Sequence, residues 1–350
     1  MSIAERKDSH LALCLEEQVE LPGGDATGFG ALRFDHDALP EVDLAAVRTE
    51  TELLGKKLAA PIVVGAMTGG TARAGEMNRR LARAAERCGV AFALGSQRRM
   101  LQDPASRDSY AVRAAAPELR LLFGNLGAVQ LNYGVGVAEL RALVRDVGAD
   151  AFNFHLNPLQ EAIQPEGDTR FAALLPKLAA VIPELGVPVL LKEIGAGISR
   201  TTARKIAALP VAGVETGGLG GTSWAKVESL RAADPARKSL GEAFARWGIP
   251  TVESIAACRQ ALPDRVVVAS GGIRNGIEIA KALALGADAV ALALPLLKAA
   301  EQSWEAAAEE LDRLVQELRL AMFLTGCARV SELRARPLSH ARDLTAAPRT

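Results

Sequence analysis

Between residues 61 and 294 the sequence contains eight short, nearly uninterrupted apolar segments, which alternate with stretches of helical periodicity. Strands that are apolar at almost every position are typical of parallel sheets covered on both faces. Eight such units in succession predict an α/β fold of the (β/α)8 TIM-barrel type. An open doubly wound sheet is the alternative, but no G-x-G-x-x-G fingerprint follows the first apolar segment. The predicted strands cover residues 61–67, 90–96, 120–125, 151–157, 188–193, 212–217, 265–271 and 289–294, and the predicted helices cover 74–88, 106–116, 137–147, 171–182, 201–208, 276–285 and 297–324.

The barrel accounts for only part of the 350 residues. Residues 1–60 show no regular strand–helix rhythm, which predicts an N-terminal extension. The barrel itself is predicted to occupy residues 61–330, and residues 331–350 form a C-terminal tail. The longest gap between predicted strands, residues 218–264, separates strands six and seven and predicts a lid or an insertion there.

Composition restricts the class of protein and its partners. Apolar residues make up 49% of the chain, enough for a large core, and 41 basic residues balance 41 acidic ones. A balanced charge gives no sign of a nucleic-acid or membrane partner, and no apolar run reaches the length of a membrane span. Residues 1–30 lack the apolar core of a signal peptide. The cysteines are widely spaced without a C-x-x-C pair, which predicts reduced thiols in a cytoplasmic protein and no zinc site; they are Cys14, Cys88, Cys258 and Cys327.

Polar residues and glycines follow nearly every predicted strand. In a (β/α)8 barrel the carboxyl ends of all eight strands meet at one face, and the active site lies there. Polar side chains at that face bind a ligand, and glycines let it approach the backbone. Strands one to eight are followed by such residues at 66–70, 95–99, 124–127, 155–161, 192–195, 215–218, 270–274 and 293–295.

The stretch after the fourth strand is the densest in polar groups. It contains an imidazole, two amides and a carboxylate, from His155, Asn157, Gln160 and Glu161. Polar groups at the end of an inner strand are costly unless a ligand or a partner satisfies them. We therefore expect the chemistry to centre on this stretch. Residues 162–168 continue it with further groups suited to metal and phosphate.

Two other strand ends suggest particular ligands. The sequence Gly-Gly-Ile-Arg at 271–274 directly precedes a predicted helix, where backbone N–H groups favour an anion, so we predict a phosphate-binding loop. Lys192 lies at the end of an apolar strand, and three roles are open to it. It is an unpaired cation aimed into the barrel mouth, a Schiff-base lysine, or the ion-pair partner of Glu161 or Glu193. A pair with Glu193 is disfavoured because adjacent strand residues point to opposite faces.

These motifs together resemble the FMN-dependent type 2 isopentenyl-diphosphate isomerases. The resemblance extends over residues 5–330, and its combination of motifs is specific, although Gly-Gly-x-Arg alone also occurs in other flavin barrels. The motifs are Arg6-Lys7-x-x-His10, Met67-Thr68-Gly69-Gly70, Gly95-Ser96-Gln97-Arg98, His155-Leu156-Asn157-x-x-Gln160-Glu161, Gln164-Pro165-Glu166-Gly167-Asp168, Gly220-Gly221-Thr222-Ser223-Trp224 and Gly271-Gly272-x-Arg274.

The resemblance implies isomerisation of isopentenyl diphosphate to dimethylallyl diphosphate, a 1,3-allylic proton shift in isoprenoid biosynthesis. It further implies reduced FMN and Mg²⁺ as cofactors, NADPH as reductant, a small-molecule diphosphate as the partner, and a cytoplasmic homo-tetramer or homo-octamer. Residues 1–60 would contribute to the substrate site.

The residues implied for each role match the family motifs one by one. Those implied to be catalytic are Gln160 and Lys192. Those implied to bind substrate are Arg6, Lys7, His10, Ser96, Arg98, His155, Asn157 and Gln160. Those implied to bind FMN are Ala66, Met67, Thr68, Ser96, Asn125, Lys192, Thr222, Gly271, Gly272, Ile273, Arg274, Ala293 and Leu294. Glu161 is the implied metal ligand.

The chain departs from the family pattern at three positions. Family members tend to have Asp where this chain has Glu215, a hydroxyl residue where it has Gly217, and a smaller or polar residue where it has Leu294. The chemistry is consistent with the resemblance elsewhere. Moving a double bond requires adding a proton at one carbon and removing one at another, and the motifs contain no obvious carboxylate pair. We therefore assign the difficult proton transfers to reduced flavin at N5.

Two other classes of protein remain as alternatives. FMN-dependent 2-hydroxy-acid oxidases and dehydrogenases share the barrel, but they carry a His and an Arg close together after strand seven. Here His340 is the sole histidine beyond His155. A non-catalytic phosphate-ligand-binding barrel would leave the pair of Gln160 and Glu161 without a task.

Overall fold

A computed structural model describes residues 3–16, 19–20 and 26–340 of the chain. Its strands are β1 (Leu32–Phe34), β2 (Thr51–Leu53), β3 (Lys56–Leu58), β4 (Ile62–Val64), β5 (Ala91–Ala93), β6 (Leu122–Gly127), β7 (Ala151–Leu156), β8 (Val189–Glu193), β9 (Gly213–Glu215), β10 (Val266–Ser270), β11 (Ala289–Leu292) and β12 (Leu338–His340). Strands β4 to β11 are parallel neighbours in chain order, and β11 pairs with β4, so the sheet closes into a barrel. The predicted (β/α)8 barrel is confirmed.

The barrel strands are apolar at nearly every position because both of their faces are buried. Their outer faces pack against the helices, and their inner faces form a second cluster that includes Val63, Phe123 and Leu190. Leu53 and Leu58, from the β2–β3 hairpin, belong to this inner cluster and are 1% exposed. The hairpin therefore plugs one end of the barrel and leaves the carboxyl ends of the strands as the open end.

The helices of the described residues are α1 (Ile3–Leu15), α2 (Ala72–Arg87), α3 (Arg98–Gln102), α4 (Val137–Val147), α5 (Pro158–Ile163), α6 (Leu174–Val181), α7 (Arg200–Ala207), α8 (Trp224–Arg231), α9 (Pro235–Ala243), α10 (Thr251–Ala261), α11 (Gly276–Ala284), α12 (Leu294–Gln302) and α13 (Trp304–Phe323). Five of them lie within a few residues of predicted helices, namely α2, α4, α6, α7 and α11. None of the helices in this part of the chain combines the length and the apolar character that a membrane span requires.

Two predicted helices are wrong in detail. The segment 106–116 forms two 3-10 turns, Pro104–Tyr110 and Val112–Ala114, instead of an α-helix. Serine hydroxyls cause this, because Ser106 and Ser109 donate to carbonyl groups three residues back and compete with helical backbone bonds. The predicted single helix 297–324 is two helices, and Ser303 separates them as the N-cap of α13, where its hydroxyl accepts from the N–H of Ala306.

The long gap between strands six and seven holds three helices. Helix α10 packs against α7 and β10 and takes the place of a barrel helix, whereas α8 and α9 are additional and pack against each other. Helix α8 also contacts α5 and the N-terminal helix α1. The insertion and the N-terminal extension therefore meet beside the barrel mouth. At the other end of the chain, β12 pairs antiparallel with β1, and the rest of the predicted tail, residues 341–350, lies outside the described residues.

Candidate active site

One cavity opens at the carboxyl ends of the barrel strands, and every site residue that the sequence implied lines it. The lining comes from the ends of all eight barrel strands and the loops after them, from the N-terminal helix α1 and helix α5, and from the start of helix α8. Residues as distant in sequence as Arg6 and Leu294 share this cavity. Parallel strands place their carboxyl ends at one face, and this common direction explains why scattered polar residues meet.

Glycine-rich loops form one wall of the cavity. The loop after β10 contains Gly272, whose φ of +71° is a left-handed conformation that favours glycine. A Cβ atom at Gly272 would lie 2.4 Å from the carbonyl group of Gly220, so the two loops pack backbone against backbone. The N–H groups of Gly272 and Ile273 have no acceptor among the described residues. This wall therefore offers free backbone donors, beside Arg274, to an anionic group.

Lys192 projects into the cavity and is paired with Glu215, one of the positions where the chain departs from the family pattern. The Lys192 ammonium contacts the Glu215 carboxylate and lies 3.3 Å from the carbonyl oxygen of Glu193. Both side chains are buried, at 9% and 3% exposure. Of the alternatives for Lys192, the unpaired cation and the ion pairs with Glu161 or Glu193 are therefore wrong, because Glu215 lies beside Lys192 on the neighbouring strand β9 and pairs with it.

Gly217 and Leu294, the other departures, fit the local backbone. Gly217 has a φ of +49°, and a Cβ atom there would lie 2.1 Å from the carbonyl oxygen of Glu193, so this loop leaves no room for a hydroxyl side chain. Leu294 is the first residue of α12, and its side chain is 5% exposed. Most of the Leu294 side chain is therefore packed inside the protein.

His155 is held neutral inside the cavity. Burial, and then the charges of Lys192, Lys7 and Arg98, lower the pKa of His155 to about 3. Its Nδ1 lies 2.7 Å from the Oδ1 atom of Asn125. A neutral imidazole has one donor and one acceptor nitrogen, so the Asn125 amide fixes which nitrogen carries the proton.

The N-terminal helix lies over the cavity and supplies three of the implied substrate-binding residues. Lys7 Nζ donates to the carbonyl oxygen of Ser96 at 2.9 Å and to the Tyr110 hydroxyl at 2.8 Å. Arg6 is 8% exposed and lies 3.5 Å from Glu166. Burial, followed by the charges of neighbouring arginines, lowers the pKa of Lys7 to about 7. Several cations are thus gathered where little water reaches them, an arrangement that favours a polyanion.

Glu161 lies in the first turn of α5 with both carboxylate oxygens occupied. Oε1 accepts from the Asn157 amide at 2.8 Å, and Oε2 accepts from the backbone N–H of Asp168 at 2.7 Å. Burial raises the pKa of Glu161 above its usual value, although these two donors oppose the effect. Among the described residues no three His, Cys, Asp or Glu side chains form a ready metal cluster. Mg²⁺ is nevertheless commonly bound through one or two carboxylates together with phosphate oxygens.

Sequence reasoning missed Glu228, which contacts two of the implied residues. The Gln160 amide donates to Glu228 Oε1 at 3.0 Å, and His10 Nε2 lies 2.9 Å from the same oxygen. Arg231 contacts the other oxygen. Burial by itself raises the pKa of Glu228, but His10, Arg231 and Gln160 outweigh burial and hold that pKa below its usual value. Glu228 is fully buried in the structure. Its burial could not be predicted from the sequence, because a charged residue in the segment between strands six and seven has the same local pattern whether it is buried or exposed.

Comparisons with known proteins place this site in a family. A family model described as FMN-dependent dehydrogenase matches residues 24–112 and 170–340. An isopentenyl-diphosphate delta-isomerase of Synechococcus sp. is 48% identical over 324 residues, covering 93% of this chain and 92% of that protein. Another, of Rickettsia bellii, is 44% identical over 329 residues, covering 94% and 95%. The chain belongs to the isopentenyl-diphosphate delta-isomerase family. The predicted resemblance and the predicted enzyme class, an isomerase, are confirmed.

Solved structures of more distant proteins share the barrel. A mandelate oxidase variant solved with benzoyl-formic acid has a TM-score of 0.66 at 22% identity, covering 97% of this chain and 98% of that chain. Mandelate oxidase solved with (S)-2-phenylpropionate has a TM-score of 0.64, also at 22% identity. At this identity the likeness establishes the fold alone.

Proposed function

We propose that the chain isomerises isopentenyl diphosphate to dimethylallyl diphosphate with reduced FMN and Mg²⁺, in isoprenoid biosynthesis. The observation that supports this most strongly is that cations, amides and one carboxylate line one wall of a cavity whose other wall is Gly-rich backbone. Residues 61–330 would form the catalytic barrel, residues 1–60 would contribute to the substrate site, and residues 331–350 would be a tail. NADPH would reduce the flavin, and the enzyme would be a cytoplasmic homo-tetramer or homo-octamer.

The Gly-rich wall fits a flavin mononucleotide. The free N–H groups of Gly272 and Ile273, with the Arg274 guanidinium, suit a terminal phosphate. The paired Lys192 ammonium, the Asn125 amide and the Thr222 hydroxyl suit the polar edge of a flavin ring. The other residues that we propose to bind FMN are Ala66, Met67, Thr68, Ser96, Gly271, Ala293 and Leu294. Bound reduced FMN supplies the acid–base chemistry at N5 that unactivated alkene carbons require.

The opposite wall fits a diphosphate with a divalent metal. Arg6, Lys7 and Arg98 supply charge, and Ser96, His155 and Asn157 supply polar contacts. Glu161 would supply one hard oxygen ligand for a divalent metal, which would offset the charge of a diphosphate beside these cations. The diphosphate would thus anchor the substrate at one end, so that the short alkene chain extends toward the flavin wall.

Gln160, His10 and Glu228 are arranged to manage a proton beside the alkene. The Gln160 amide is fixed at both ends, since its Oε1 accepts from Asn157 at 3.2 Å while its Nε2 donates to Glu228. An ionised Glu228 provides the acceptor, and His10 Nε2 lies 2.9 Å from the same carboxylate oxygen. We propose that Gln160 orients the reacting carbons, and that a proton taken up at the Gln160 amide oxygen is matched by one passed from its Nε2 to the Glu228 carboxylate.

A steady-state assay with purified protein tests the proposal. Isopentenyl diphosphate should convert to dimethylallyl diphosphate only when FMN, a reductant and Mg²⁺ are all present, and no net oxidation of NADPH should accompany turnover. If 2-hydroxy acids are oxidised instead, the FMN oxidase alternative is correct. If FMN is bound without either reaction, a non-catalytic phosphate-binding barrel is correct.

A further inference from the structure

One family motif contacts the site but has been assigned no role in it. The sequence Gln-Pro-Glu-Gly-Asp at 164–168 follows helix α5 directly, so it continues the segment that carries Gln160 and Glu161. It is folded tightly onto that helix, because a Cβ atom at Gly167 would lie 1.8 Å from the carbonyl oxygen of Glu161. Any residue other than glycine there would displace the loop.

The tight fold places Asp168 between two parts of the proposed substrate site. Its side-chain Oδ2 lies 2.5 Å from Nη1 of Arg98 and accepts from the Gln130 amide at 2.8 Å. Its backbone N–H donates to Oε2 of Glu161 at 2.7 Å. Asp168 is 8% exposed, so solvent screens these contacts only weakly. One residue therefore contacts both the cation proposed for the diphosphate and the carboxylate proposed for the metal.

Arg98 keeps part of its binding capacity while it is paired with Asp168. Its Nε atom is buried and has no hydrogen-bond partner among the described residues. A buried donor of a charged group requires a partner, and Arg98 lines the cavity where the substrate is proposed to bind. Asp168 holds the Nη1 side of the guanidinium, and the Nε side remains for a ligand oxygen. Arg98 is therefore held by Asp168 at Nη1, while its Nε atom is available to a ligand.

We propose that Asp168 is a positioning residue for substrate binding: it fixes Arg98 toward the diphosphate and Glu161 toward the metal as one unit. This inference rests on the proposed function. Asp168 touches neither the reacting carbons nor the cofactor wall, so its effect falls on substrate affinity. The opposite role, a carboxylate that competes with the diphosphate for Arg98, would require Arg98 to release Asp168 before it binds substrate.

The substitution Asp168→Asn separates the two roles, because it keeps the shape and removes the anchoring charge. Positioning predicts that KM for isopentenyl diphosphate rises at least tenfold, because the charge that holds Arg98 is lost. The half-saturating Mg²⁺ concentration, kcat and the FMN dissociation constant should change less than threefold, because the backbone N–H that contacts Glu161 is retained. A KM that is unchanged or lower overturns the proposal, and a lower KM identifies Asp168 as a competitor.

A matched control and a second variant complete the test. Asp146→Asn removes an aspartate–arginine pair nearer the surface, in which the Asp146 side chain lies 3.2 Å from Arg107, away from the cavity. It should leave KM unchanged, so a KM rise in the control equal to that of Asp168→Asn would overturn the assignment. If Asp168→Asn does not fold, Gln130→Met removes the second donor to Asp168, and an unchanged KM in that variant overturns the proposal.

Failure of this inference is distinguishable from failure of the proposed function. The wild-type protein must first isomerise isopentenyl diphosphate; if it does not, the proposed function fails before any variant is compared. If the wild type is active and Asp168→Asn retains the wild-type KM, the function stands and the positioning role falls.

Discussion

The two walls of the cavity are built in different ways. The wall proposed for FMN consists of loops such as that around Gly272, where backbone packs on backbone and N–H groups are the binding atoms. The wall proposed for the substrate consists of side chains in ion pairs and hydrogen bonds, for example Arg98 with Asp168 and Gln160 with Glu228. The first wall comes from the barrel strands, and the second comes largely from α1, α5 and α8.

This difference indicates which part of the molecule binds which ligand feature. Glycine-rich backbone in a closed barrel is rigid and presents donors at fixed positions, which suits a resident cofactor. Charged side chains from an N-terminal helix and an insertion are held mainly by each other, which suits a ligand that enters and leaves at every turnover. Substitutions in the two walls should therefore affect different measurements.

The largest expected effect is that of Glu161→Gln on the substrate wall. The variant keeps the shape but loses the charge that a metal ligand requires, so turnover should fall roughly 1000-fold, since a catalytic metal is worth several kcal/mol. A Mg²⁺ titration of kcat measures this, and an absorbance titration should show unchanged FMN affinity. Glu184→Gln, at an exposed pair with Arg141, is the control. Full turnover in Glu161→Gln would remove this residue from the metal site.

The second largest effect is expected for Glu228→Gln. This substitution tests the residue whose contacts with the site were found only in the tertiary structure. A neutral amide still fills the space between Gln160 and His10 but accepts a proton poorly, so kcat should fall roughly 100-fold while KM changes little. Single-turnover rates with saturating substrate separate chemistry from release. If KM rises about 100-fold while kcat is unchanged, Glu228 only shapes the binding site.

On the cofactor wall, Gly272→Ala should weaken FMN binding about 30-fold, equivalent to about 2 kcal/mol of backbone strain and overpacking. Gly186→Ala is a matched control, because Gly186 has a φ of +73° and no atom within 4 Å of its would-be Cβ. It carries the left-handed strain without the collision. If FMN dissociation constants of both variants equal that of the wild type, the cofactor wall does not depend on this close packing.

The smallest expected effect is a pH dependence from Lys7. Its pKa of about 7, lowered mainly by burial, means that the free enzyme loses this positive charge as pH rises above 7. Since the charged form binds the diphosphate more tightly, kcat/KM should fall about tenfold in total as pH rises from 7 to 9, equivalent to one charge-assisted contact of about 1.5 kcal/mol. Lys7→Arg stays protonated, so its profile should be flat from pH 7 to 9. The same slope in both proteins would assign the titration to another group.

The sequence by itself determined the barrel and the location of the cavity. Apolar strands with intervening helices are encoded locally, through side-chain periodicity, and the common direction of parallel strands then brings the polar strand ends to one face. For this reason His155, Gln160 and the loop at 271–274 could be placed together without a structure. The 3-10 turns at 104–114 and the break at Ser303 were missed because serine hydroxyls override helical periodicity within single turns.

Only the tertiary structure decided which side chains pair with which. Glu228 meets Gln160 and His10 because helix α8 of the insertion packs against both α5 and α1. Lys192 meets Glu215 because strands β8 and β9 pair in that register. Arg98 meets Asp168 because two segments that are distant in sequence lie side by side. A charged residue in an irregular segment has the same local pattern whether it faces solvent or a buried partner. Its partner is fixed by the packing of distant elements, which no local periodicity encodes.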